Sequence, residues 1–113
     1  MTVSTRDDAI MQVLALFADR NYSALESLTG RKRLSAQEMA YAIEEYGRDI
    51  IKPPVAALED LDVVEVVGAP VPTWSIVLPF WTAEEGHSDL TLELTLCERE
   101  NGVSVEIDNI RVR

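Results

Sequence analysis

The chain has 113 residues, 47% of them hydrophobic, and a net charge of -10 at pH 7. That length suits one domain with a single core, and the apolar share argues against a disordered chain. The charge repels phosphate backbones and anionic lipid, so nucleic-acid and membrane binding are disfavoured and a basic protein partner is admitted.

The acidity is unevenly spread. Residues 1 to 56 carry a net charge of -1 and residues 57 to 113 a net of -9. No apolar run reaches the roughly 18 residues that span a bilayer, and Val3 to Asp8 offers neither a basic nor an apolar leader region. A cytoplasmic protein that is not exported is expected. Cys97, the only cysteine, excludes an intrachain disulfide and a cysteine-rich zinc site, and it reads as an inert strand residue.

Thr5 and Asp8 form a capping pair ahead of Ile10, Val13, Leu14 and Phe17, which recur at helical spacing and predict a helix from about Arg6 to Arg20. Asn21 and Ser23 can cap a shorter helix that carries Leu25 and Leu28 inward, with Gly30 ending it. Arg31, Lys32 and Arg33 then read as a solvated connector. Ser35 and Glu38 have the spacing of a capping box, flanked by Leu34 and Met39 as a hydrophobic staple. The helix they open should reach about Tyr46 and stop at Gly47, leaving Glu44, Glu45 and Arg48 solvated. Pro53 and Pro54 end the helical half, and Pro54 can start a turn through Ala57 and Leu58.

Val63 to Val67 predicts a strand, with Val64 and Val66 on one side and Val63, Glu65 and Val67 on the other. Trp74 to Trp81 predicts a second, with Trp74, Ile76, Leu78 and Phe80 on one face and Ser75, Val77, Pro79 and Trp81 on the opposite one. Pro79 lacks a ladder donor and should lie at an edge or a bulge. Asn101-Gly102 predicts a two-residue hairpin turn, setting Glu100 opposite Val103 and Leu96 opposite Ile107. An unbroken ladder would point Ile110 and Val112 at the wrong face, so one extra residue is expected near Asp108 and Asn109. With it, Leu94 should face Ile110, Leu92 should face Val112, and Glu93 should pair with Arg111.

These elements predict an α+β chain in which two or three N-terminal helices pack on one face of a roughly four-stranded antiparallel sheet. Cystatin-like folds have this element order.

The loop from Thr82 to Asp89 is the richest in reactive groups. Trp81, Glu84, Glu85, His87 and Asp89 are the candidate binding residues. His87 with the three carboxylates has the donor types of a divalent-metal site, and His87 with Asp89 those of an acid-base pair. The lack of a second histidine argues against a metal, and no nucleophile elbow, dinucleotide or phosphate-loop motif is present, so neither a cofactor nor a catalytic residue is assigned. The plainer reading is a polar hairpin loop in which Thr82 caps a turn.

The run W-S-I-V-L-P-F-W-T-A-E-E-G-H-S-D-L-T-L-E-L from Trp74 through Leu94, with the closing V-E-I-D-N-I-R-V, resembles a family of small bacterial proteins sharing a W-T-x-E-E-G-x-S-D-L-T-L-E-L core. The resemblance covers the last forty or so residues. It implies a bacterial, single-domain protein and supplies no activity and no catalytic residue.

Two functions compete. One is a non-enzymatic interaction module, with the immunity type as one form of it, whose acidic face receives a basic partner. The other is a small-molecule or enzymatic pocket between helices and sheet, lined by Trp74, Phe80 and Tyr46. Val63, Val67, Val77 and Trp81 are expected to form an apolar outer patch that a second copy covers across a two-fold axis.

Overall fold

Three helices and then five strands make up the computed structural model, which describes residues 6–31, 33–100 and 102–112, the side chain of residue 60 excepted. Helix α1, Arg6–Ala18, buries Ala9, Ile10, Val13, Leu14 and Phe17 along one stripe. It stops two residues short of the expected end because Arg20 adopts a left-handed φ of 56° and the Asn21 amide turns back to the Leu16 carbonyl at 2.9 Å. That closure is usually made with glycine. Thr5, half of the expected capping pair, lies outside the described residues.

Asn21 caps α2, Tyr22–Leu28, its Oδ1 accepting from the Ala24 amide at 3.2 Å. Both arms of the Ser35 capping box form at the start of α3, Ala36–Tyr46: the Glu38 amide donates to Ser35 Oγ at 3.1 Å and the Ser35 amide to Glu38 Oε1 at 3.0 Å. Gly47, at φ 74°, closes this helix in the left-handed conformation that a side chain would resist.

Strand β1, Ile50–Ile51, follows at once, and Pro54 then opens a 3-10 helix over Val55–Asp60. The rest of the sheet is β2, Asp62–Glu65; β3, Thr73–Thr82; β4, Gly86–Arg99; and β5, Gly102–Val112. All pairings are antiparallel, in the order β1-β3-β4-β5, and β2 also pairs with β3. Because β1 joins β3 at Trp81 and Thr82 while β2 joins it at Trp74 to Val77, the two short strands share one edge of β3 with a gap between them. Pro79 falls in that gap. Odd-numbered β3 residues send their backbone bonds toward this edge, as the Val66 amide to the Thr73 carbonyl at 2.8 Å shows, so the donor missing from Pro79 would have met no strand.

The helices cover one face of the sheet. Phe17, Leu25, Met39, Ile76, Phe80, Leu92, Leu94, Leu96 and Ile107 have no exposed surface and belong to one apolar cluster with their neighbours. Phe17 and Phe80 meet edge to face, centroids 5.0 Å apart.

The extra residue in the last hairpin is Asp108. Leu94 pairs with Ile107 and Glu93 with Asn109, leaving Asp108 unpaired in the ladder. Its Oδ2 instead accepts from the Thr95 hydroxyl at 2.6 Å. The expected register is otherwise displaced by two residues: Arg99 faces Gly102, Leu96 faces Val105 and Leu92 faces Ile110. Gly102 is a strand residue, not half of the turn, and Asn101 lies outside the described residues. An even shift leaves every side chain on its intended face, so apolar patterning cannot detect it.

The expected apolar outer patch does not assemble. Val63 lies opposite Ile76, which puts its side chain on the helix-covered face, and β2 ends before Val67, which sits in the turn that follows. Of the four residues only Val77 and Trp81 point outward, both half-buried.

Candidate functional site

Turn 83–85 is held by the groups that made it look reactive. The Thr82 hydroxyl, fully buried, accepts from the Glu85 amide at 3.0 Å. Gly86 follows at φ 72°, and a Cβ there would stand 3.7 Å from the Trp81 ring. Glu84 reaches back to the end of α3 and accepts from the Asp49 amide at 3.0 Å, while Asp49 takes a bond of the same length from Arg20. Glu85 accepts from the Tyr46 hydroxyl at 2.8 Å and from Arg48 Nε at 3.1 Å. Tyr46 in turn accepts from the Asp89 amide at 3.3 Å. Loss of solvation, and then the bond to the Glu85 carboxylate, raise the Tyr46 phenol above its ordinary pKa.

Glu84 and Glu85 therefore turn toward the exit of α3 and act as a clasp between helices and sheet. Sequence reasoning missed Tyr46, Arg48 and Asp49 as their partners. The available signal was Ile50–Ile51: read as a strand beside Trp81–Thr82, it brings the end of α3 to the β3–β4 turn.

His87 and Asp89 go the other way, to the face without helices. Between the pairs Pro79–Thr91 and Trp81–His87, β4 has three residues where β3 has one, Phe80. Ser88 fills this irregularity: buried, it donates to the Phe80 carbonyl at 2.7 Å and accepts from the Leu90 amide at 3.2 Å. Its hydroxyl supplies partners that the broken ladder withholds. His87 meets the Trp81 ring edge to face at 6.3 Å. Together with Asp62, Val77, Pro79 and Thr91, His87 and Asp89 border an open cleft of about 210 Å³. Among the described residues no three His, Cys, Asp or Glu side chains converge as a metal site.

The cleft is one end of a larger acidic surface. Cross-strand pairing places Asp62, Glu93 and Glu106 on the open face, against Arg99 and Arg111; Asp89 joins them as a wall of the cleft and Asp108 through its bond to Thr95. Arg111 Nε meets Glu93 Oε2 at 2.6 Å, so the expected pair forms, diagonally across the ladder. Arg33 approaches Asp108 at 3.6 Å. Asp62, Asp89 and Glu106 have no cationic partner among the described residues.

A family model described as "Domain of unknown function (DUF7668)" matches residues 14–113. The chain belongs to this family. The matched region of the DUF7668 domain starts within α1 and takes in α2, α3 and all five strands, hence the clasp, the cleft and the open face. No curated protein and no solved structure matches the chain. No helix among the described residues is long and apolar enough to cross a membrane.

Proposed function

We propose that the chain is a non-enzymatic protein-interaction module whose open sheet face receives a basic protein, as a bacterial immunity protein receives the toxin it neutralises. The observation that carries this reading is the surplus of carboxylates on the one large face left without helices, three of them lacking a cation among the described residues. Such a surface steers a cationic partner and rejects acidic ones.

The pocket reading has less support. The buried polar residues are Thr29, Thr73, Thr82, Ser88 and Thr91, none ionisable; the cleft beside His87, at about 210 Å³, is smaller than the roughly 300 Å³ at which ligand sites begin, and the larger cleft of about 430 Å³ between α3 and β5 contains none of Trp74, Phe80 and Tyr46. Phe80 is packed into the core, Trp74 lies under Arg6, whose guanidinium is 4.2 Å from the ring centre, and Tyr46 belongs to the clasp. A homodimer through the open face would set uncompensated carboxylates against their own copies, so a basic partner is preferred to a second copy.

Affinity capture from the source cell's lysate at low salt tests the reading. A basic protein should be retained by the wild type and lost when Asp62→Asn, Asp89→Asn and Glu106→Gln are combined. Retention of the same proteins by the triple variant would contradict it.

A further inference from the structure

The sheet has a second unfilled valence, along the edge of β2. The ladder alternates, and Val66 exchanges its bond with Thr73; Val64 and Asp62 therefore bond to Ser75 and Val77 in the same sense. The N-H and C=O groups of Val63 and Glu65 point away from β3. Among the described residues nothing pairs with them. All four residues of β2 are exposed, and Val55, Val64 and Val67 nearby are 73%, 63% and 93% exposed. The edge carries acids and no base: Asp62 and Glu65 within the strand, Glu59 just before it.

We infer that this edge accepts an extended segment of the basic partner as an added strand, Lys or Arg side chains meeting Asp62 and Glu65 while apolar side chains cover the valines. The inference rests on the reading of the protein as an acidic interaction module and specifies how the partner docks. Charge complementarity selects this occupant over a second copy. Self-pairing must match the outward groups of Val63 and Glu65 with those of the same two residues in the other copy, and it would gather Asp62 and Glu65 of both copies on one short edge with no base between them, in molecules that each carry a net charge of -10. The same acids guard the edge against aggregation without closing it to a cationic strand.

The test uses the full chain, isotopically labelled, titrated with a synthetic Val-Lys-Val-Val-Lys-Val peptide, which sets one lysine on each face as Asp62 and Glu65 are set, and its counterpart with Glu in place of Lys. Only the lysine peptide should bind, and it should slow amide exchange at Val63 and Glu65. Val63→Pro removes an outward donor but no β2–β3 bond, so it should leave the amide spectrum folded and weaken the lysine peptide about tenfold or more. Glu65→Lys, which disturbs no backbone group, should lower its affinity as well, whereas Glu106→Gln on the open face should not. Equal affinity in Val63→Pro and the wild type, equal binding of the two peptides, or no binding of either would overturn the inference. Perturbations centred on β4 and β5 would overturn it too while leaving the acidic-face reading in place, and failure of that reading would appear separately, as unchanged partner capture by the triple variant.

Discussion

The Ser88 hydroxyl donates to the Phe80 carbonyl at 2.7 Å across the break in the β3–β4 ladder, and this bond holds open the irregularity that turns His87 and Asp89 onto the free face. Ser88→Ala strands a buried carbonyl and the Leu90 amide, and should cost about 1 to 3 kcal/mol. His87→Ala, at an exposed neighbour, should stay within about 0.5 kcal/mol of wild type. Urea denaturation of the two variants checks the contrast; equal midpoints would mean that the hydroxyl is dispensable.

Leu94 and Glu93 are adjacent on β4 but face opposite sides. Leu94 is fully buried opposite Ile107, so Leu94→Ala should lose about 2 to 5 kcal/mol. Glu93 pairs with Arg111, whose side chain is 59% exposed, and Glu93→Ala should lose at most about 1 kcal/mol. Melting temperatures report the difference directly.

The helical half and the bulge were legible in the sequence because local chemistry decides them. Ser35, Asn21 and Gly47 satisfy helix ends with their own side chains or backbone, and Asp108 was betrayed by the wrong-facing Ile110. What remained hidden depends on partners distant in the chain. Val63, Val64, Val66 and Val67 are all apolar, so alternation offered no contrast, and the face of Val63 was fixed only by Ile76 across the ladder. The register after the turn was ambiguous by two for the reason that an even shift conserves faces. Of the candidate site, His87 and Asp89 share a cleft, but Asp62 on its far wall comes from a strand 25 residues earlier than His87. Glu84 and Glu85 were read as candidate binding residues of a polar loop, and their partners Tyr46, Arg48 and Asp49 could not be read from the loop itself.

The clasp predicts an alkaline limit. The folded Tyr46 phenol holds its proton above its ordinary value of 10.0, through lost solvation and then through the Glu85 carboxylate. Tyr22, raised chiefly by burial, acts in the same direction. A raised folded pKa contributes stability that is fully present below pH about 10 and is lost as pH climbs through the folded value. The wild-type melting temperature should therefore fall more steeply above pH about 10 than that of Tyr46→Phe; superimposable alkaline profiles would exclude this contribution.

Ser35→Ala removes one arm of the α3 capping box and should destabilise the chain by about 1 kcal/mol, with Ser35→Asp restoring most of it. Both are read by denaturant midpoint at pH 7, and an unaffected Ser35→Ala would show that packing of Met39 and Ile43 alone fixes the helix start.

The central claim, that an uncompensated acidic face receives a basic partner, is tested most directly by the association rate of the captured partner as salt is raised from about 0.05 to 0.5 M. Electrostatic steering predicts a steep fall for the wild type and a much shallower one for the variant lacking Asp62, Asp89 and Glu106 carboxylates, with dissociation changing little. Association rates that are independent of salt, or that fall equally in both proteins, would contradict the claim.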